Sequence, residues 1–215
     1  MTKRQPGTRP DGSPRTTLDP AAVVRAALEL LGDKGADAVS VRGVADRLGV
    51  RMNTVLWHAK TKAGLLELMA EAIVAGASVE DLPEPWEERV RELAGRYRRA
   101  LLAHRDGAAI VAGTYAPEPA TLGLAEALVR GLLDAGLPER EAAWTCWTIV
   151  YFVLGLAQEE QALPGVDGPR FARALDSGRY PSLSRLATHL KDPSFDERFA
   201  YGLSLILGSV AARTE

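Results

Sequence analysis

The stretch Val39 to Lys62, VSVRGVADRLGVRMNTVLWHAKTK, constrains the fold more than any other part of the chain. Its spacing predicts two short helices joined by a tight turn. Ser40 can cap the first, because its hydroxyl can accept a bond from a free backbone N–H one turn in. Val41, Val44, Ala45 and Leu48 then fall on one helical face. Gly49 follows directly, and a helix readily stops on a residue with positive φ, a conformation that glycine takes without steric cost. Val50 would plug the angle between the helices. The next helix, about Arg51 to His58, has Val55 as its clearest core anchor and offers polar groups from its start. A short helix that exposes such groups at its N-terminal end suits the reading of base edges and phosphates in a major groove. Helix–Gly–helix corners also occur in many small helical domains that bind nothing, so spacing alone leaves both readings open.

Charge favours the nucleic-acid reading. Residues 1–64 hold eleven Lys/Arg against six Asp/Glu, while the rest hold fifteen against twenty-two, so a net charge of −2 conceals a basic first third. That asymmetry is expected where only one part of a chain meets phosphate. Within it, Arg42 can reach phosphate or a guanine edge. Arg51, Met52, Asn53 and Thr54 open the second short helix. Asn53 suits a bidentate contact to adenine, and the methyl groups of Met52 and Thr54 suit thymine.

The remaining pattern is helical throughout. Residues 1–17, rich in Pro, Gly, Ser and Thr with Lys3, Arg4, Arg9 and Arg15, lack an apolar core and read as a disordered basic tail. Such a tail is either a solubilising segment or an arm that reaches the minor groove. Asp19-Pro20 starts a helix that closes at Gly35, and residues 18–64 form a three-helix unit. A fourth helix, from about Thr61 to about Ser78, buries Leu65, Leu66, Leu68, Met69, Ile73 and Val74 and leads into a larger helical domain, residues 65–215. There, Trp86 to His104 carries Arg89, Arg91, Arg96, Arg98 and Arg99 on what reads as an outer, solvated or acid-paired face. Short helices follow at 107–113 and 119–135, then a long one to about Gln161, a turn-rich stretch at 163–192, and a closing helix from Phe195 to Ala212. The longest uncharged apolar run, Ala142 to Ala157, has sixteen residues, fewer than the roughly 20 that a bilayer span needs. The lone Cys146 permits no intrachain disulfide, which fits a reducing cytoplasm.

The run LGVRMNTVLWHAKTKAGLLELMAEAI resembles the DNA-binding domain of the TetR (tetracycline-repressor) family: Leu48-Gly49-Val50, Thr54, Trp57-His58, Lys60, Lys62 and Leu65-Leu66 fall on its motif. Leu56 stands where the family usually has an aromatic residue. LLAHRDGAAIVAGTYAP and FVLGLAQEEQ further resemble the ligand-binding domain of the tetracycline-repressor branch. The resemblance implies an all-α homodimer that binds a near-palindromic DNA operator and releases it on binding a small-molecule effector. It places Trp57, His58 and Lys62 among the phosphate contacts; His58 could equally be a helix-end residue bonded internally. That branch holds a drug–magnesium complex through two histidines, an asparagine and an acidic residue. Here Val111, Ser78 and Leu93 stand at the first three positions, and only Glu159 matches. One carboxylate cannot satisfy magnesium's near-octahedral demand, so no metal and no tight tetracycline binding are expected. The ligand would be more apolar, or the pocket collapsed. Leu93, Tyr97, Val111, Thr114, Trp147, Tyr151 and Glu159 are the candidate ligand residues; any one of the aromatics could instead be plain core.

Enzyme readings find little footing. His104-Arg105-Asp106 lacks the downstream Asn and preceding Gly-rich loop of a kinase. Three histidines and one cysteine show no metal-ligand spacing, and no cofactor is implied. Broad apolar faces on Trp144–Leu156 and Phe195–Val210 predict a dimer, since soluble monomers rarely expose such patches. The alternative to a ligand-responsive regulator is a ligand-free helical dimer acting as an interaction module.

Overall fold

A computed structural model describes residues 18–114, 117–162, 168–175, 179–190 and 194–214. The basic tail, residues 1–17, and parts of the turn-rich stretch at 163–192 lie outside them. Every regular element among the described residues is a helix.

The first helix, α1 (Pro20–Lys34), starts where Asp19 accepts the Ala21 N–H at 3.1 Å and Pro20 fills a position that needs no N–H. It buries Val23, Ala26, Ala27, Leu30 and Leu31. After a single 3-10 turn, Ser40 caps α2 (Val41–Leu48) by accepting the Gly43 N–H at 3.0 Å. Gly49 adopts the left-handed conformation at φ 64°, and the Val50 N–H returns to the Ala45 carbonyl at 3.0 Å. This closure turns the chain sharply into α3 (Met52–Ala59), which buries only Val55 and Ala59. Arg51 stands at its cap rather than inside it.

Thr61 caps α4 (Lys62–Val74) through the Gly64 N–H at 3.0 Å. The helix ends four residues short of the predicted Ser78. The Arg96 guanidinium holds the carbonyls of Ser78, Glu80 and Asp81, drawing this segment out of helical register. Leu65, Met69 and Ile73 are at most 1% exposed. Leu66 and Leu68, expected inside, are only half-buried. This helix packs on α1 and α3 on one side, and on α5 (Trp86–Leu102), α6 (Gly107–Val111) and α7 (Pro119–Asp134) on the other.

All five α5 arginines read as an outer face are acid-paired; four of them pair near the surface, Arg89 with Glu84 and Asp134, Arg91 with Glu87 and Glu88, Arg96 and Arg99 with Glu92. The hydrogen bond from Arg96 holds the Glu92 carboxyl below the usual carboxylate range, with the Arg99 charge adding to it. Arg98 departs from that reading. It is buried, with Glu160 at 2.7 Å, Asp196 at 2.5 Å and the Phe199 ring 5.2 Å from its guanidinium carbon. Position 98 follows Tyr97 into the interior, and two carboxylates compensate the desolvated charge. Glu160 belongs to α8 (Glu139–Ala162) and Asp196 to the last helix, so one guanidinium ties three helices together.

Three short helices, α9 (Gly168–Leu175), α10 (Pro181–Arg185) and α11 (Ala187–Leu190), lead to α12 (Phe195–Thr214), which lies along α8. Their approach is close: a Cβ on Gly202 would sit 2.4 Å from the Phe152 ring. One buried apolar cluster runs unbroken from Val23 to Val210. Arg98→Ala should lower unfolding stability in a urea titration by about 3 kcal/mol, because it strands Glu160 without its cation.

Candidate DNA interface and ligand cavity

The recognition face follows from how little of α3 is buried. Val55 and Ala59 fix it to the core, which turns Arg51, Met52, Asn53 and Trp57 outward. Met52 is 48% and Trp57 73% exposed, which is unusual for large apolar side chains. Thr54 and His58 are half-buried beside them, and among the described residues no hydrogen bond holds the His58 ring. The Arg42 side chain on α2 is 85% exposed, with Asp46 at 3.9 Å. Lys62, the first residue of α4, lines a shallow cleft of mixed character with Asp37 and Glu67. Arg42, Arg51, Met52, Asn53, Thr54, Trp57, His58 and Lys62 thus belong to adjoining elements, α2, α3 and the start of α4. The Lys-x-Lys motif also pointed to Lys60. Its ammonium donates to the Trp57 carbonyl at 2.7 Å and lies 5.1 Å from that ring's centroid, so it braces the indole. Arg47, basic and nearby, is instead anchored to Glu29 at 2.9 Å and Asp33 at 2.8 Å.

Behind this head lies a cavity of about 650 Å³. Ala70 and Val74 of α4 form one wall and Tyr97 of α5 another. Val111, Thr114 and the chain between them, with Thr121, Leu122 and Leu124 of α7, face Cys146, Trp147, Tyr151 and Leu154 of α8. Trp147 and Tyr151 stack with ring centroids 5.5 Å apart. Tyr97 is 3% exposed, and its hydroxyl has no hydrogen-bond partner among the described residues. Burial pushes that hydroxyl's pKa up, so it remains a neutral donor.

Tyr97, Val111, Thr114, Trp147 and Tyr151 therefore share one cavity, and the collapsed-pocket alternative is overturned by its volume. Two assigned residues stand elsewhere. Leu93 is completely buried in the core one turn before Tyr97, its side chain enclosed by helix packing rather than facing the cavity. Glu159 is exposed and stands just past Gln158, the last α8 residue of the cavity wall, without lining the cavity itself. The α4 and α7 walls were not foreseen, because cavity-facing Ala70, Val74 and Leu124 have the same spacing as ordinary core. Among the described residues no group of three or more His, Cys, Asp or Glu is placed to hold a metal, and no helix is long and apolar enough to cross a membrane.

Two family models account for most of the sequence. Residues 23–69 match the bacterial regulatory proteins of the tetR family, and residues 80–214 match the tetracyclin repressor-like C-terminal domain. The chain belongs to the TetR family. It is 35% identical over 201 residues to the class A tetracycline repressor from transposon 1721 of Escherichia coli, covering 92% of this chain and 93% of that one. A crystal structure of a possible TetR family regulator from Streptomyces coelicolor matches with a TM-score of 0.82 and 34% identity, over 90% of this chain and 99% of that one. The S. coelicolor TetR family protein ActR, solved in complex with actinorhodin, matches with a TM-score of 0.83 and 28% identity, over 92% and 97% of the two chains. The all-helical fold and the helix-turn-helix head are those of this family of DNA-binding transcriptional regulators.

One wall group of this TetR-family cavity has a measurable signature. Burial pushes the Cys146 thiol up to about 11. Alkylation of the folded protein by iodoacetamide, followed by intact mass, should be much slower at pH 8 than for the unfolded chain. Its rate should climb about tenfold per pH unit as the thiolate fraction grows.

Proposed function

We propose that the protein is a homodimeric, ligand-responsive repressor that leaves a palindromic operator when an apolar effector fills its cavity. The observation that carries this is the span of α4. Lys62 begins it beside the recognition helix, and Ala70 and Val74 wall the cavity further along the same rod. A ligand that separates these walls displaces the helix that carries the head. It acts only through its different affinity for the two arrangements. The DNA contacts are Arg42, Arg51, Met52, Asn53, Thr54, Trp57, His58 and Lys62, with Asn53 and Met52 reading bases and Trp57, His58 and Lys62 gripping the backbone.

The dimer rests on α8 and α12. Trp144, 58% exposed, and Tyr201 and Leu205, 68% and 57% exposed, stand on these two helices. Two-fold packing of this pair would cover them and set two recognition helices toward successive major grooves. The effector is a flat, polycyclic, largely apolar molecule. Aromatic walls suit its faces, Tyr97 offers one polar contact, and the similar ActR is solved with actinorhodin. The protein would act in the cytoplasm, where it meets its operator.

A gel shift on duplexes selected by the protein from a random pool tests DNA recognition directly. Arg42→Ala and Lys62→Ala should each weaken binding and flatten its dependence on log salt by about 0.9 per lost phosphate contact; unchanged slopes remove them from the interface. Leu205→Asp should shift the mass in sedimentation equilibrium from two chains toward one. Tetracycline with magnesium should leave the DNA complex intact at concentrations that release it from a tetracycline repressor.

A further inference from the structure

The α7 helix has no N-cap of its own. Glu118 occupies the cap position and makes no capping bond from its side chain. The amides that a cap would satisfy are instead taken by a carboxylate from another helix. Glu71 of α4 accepts the Ala120 N–H at 2.5 Å, the Thr121 N–H at 3.1 Å and the Thr121 hydroxyl at 3.1 Å. A carboxylate at a helix N-terminus meets free N–H groups and the positive end of the helix dipole. The bond is therefore worth more than a contact between two packed surfaces, and it is directional.

Its placement gives it a second role. Thr121 is a cavity wall, and so is Ala70, the neighbour of Glu71 in sequence. Both helices also bring apolar residues to the cavity, Ala70 and Val74 from α4 and Leu122 and Leu124 from α7, and apolar surfaces have no directional bonds to fix them. At Glu71 the two helices are joined by three hydrogen bonds and cannot move independently without leaving half-buried donors unpaired.

We propose that Glu71 is the positioning residue that couples the cavity to the DNA-binding head. Movement of the α7 N-terminus on ligand binding is carried by the clasp into α4, and movement of the head on DNA binding is carried back. This rests on the regulator reading above. It assigns the transmission to one carboxylate rather than to the general packing of the two helices.

Because coupling is reciprocal, the test needs no effector. Hydrogen–deuterium exchange is followed on the full-length protein, free and bound to a duplex it has selected from a random pool. In the wild-type protein, duplex binding protects α3 and changes exchange at the Ala120 and Thr121 amides by about fivefold or more, the low end of ordinary coupling. Glu71→Gln keeps the shape but presents an NH2 group to one of the amides. In that variant the DNA-dependent change at α7 should vanish while protection of α3 persists. A change at α7 that survives in Glu71→Gln, or is absent in the wild type despite protection of α3, overturns the coupling role alone. No protection of α3 in the wild type overturns the DNA-binding reading, and the clasp's role with it. If the amide variant does not fold, Glu71→Asp, which keeps the charge but withdraws it by one methylene, is subject to the same criteria.

Discussion

The burial of one face of α4 is the constraint on which the rest depends. Leu65, Met69 and Ile73 are enclosed almost completely, and they lie in the cluster that joins the small head to the large helical body. Removing such a side chain typically costs about 2–5 kcal/mol, because surrounding atoms only partly fill the void. The head therefore does not hang from a flexible linker. It is seated on a rod whose first residue, Lys62, follows directly on the turn after α3 and whose ninth, Ala70, faces the cavity. Asp106 adds a polar tie between the two parts, accepting the Ala36 N–H at 2.8 Å. A close-packed core resists gradual deformation, so such a junction has a few discrete arrangements rather than a continuum.

Much of this was legible in the chain. Ser40, Gly49 and the Val44–Ala45 pair announced α2 and its turn, because capping and left-handed glycine are local chemistry that tertiary context rarely overrides. Asp19-Pro20 likewise gave the start of α1. The errors came from long-range partners. Nothing near Ser78 shows that Arg96 will bind its carbonyl and end α4 early. Nothing near Arg98 shows that carboxylates 62 and 98 residues away will draw it inside.

The candidate site divides along the same line. Exposed residues on α3 were readable, because a short helix held by few core residues presents much of its surface outward. Tyr97, Val111, Thr114, Trp147 and Tyr151 converge on one cavity, but Leu93 and Glu159 do not, since helical phase decides cavity or core and four residues of sequence cannot resolve it. The walls from α7, and the Glu71 clasp that holds them, depend on a contact across 50 residues. Val111 and Leu93 stand where the resemblance implies a histidine and a drug-contacting asparagine, and only Val111 of the two reaches the cavity. The cavity offers aromatic and aliphatic surface with a few polar groups, Tyr97, Thr114, Thr121 and Gln158.

Cys146 gives that interior a final property. With its thiol pushed up to about 11, only about one molecule in ten thousand carries a thiolate at neutral pH. Under the proposed function, a nucleophilic sulfur among such walls would be consumed by adduct formation with any electrophilic guest. A protonated one leaves the guest free to depart unchanged. The occupancy of the chamber then follows the surrounding concentration in both directions, and the same molecule can report again once the signal has passed.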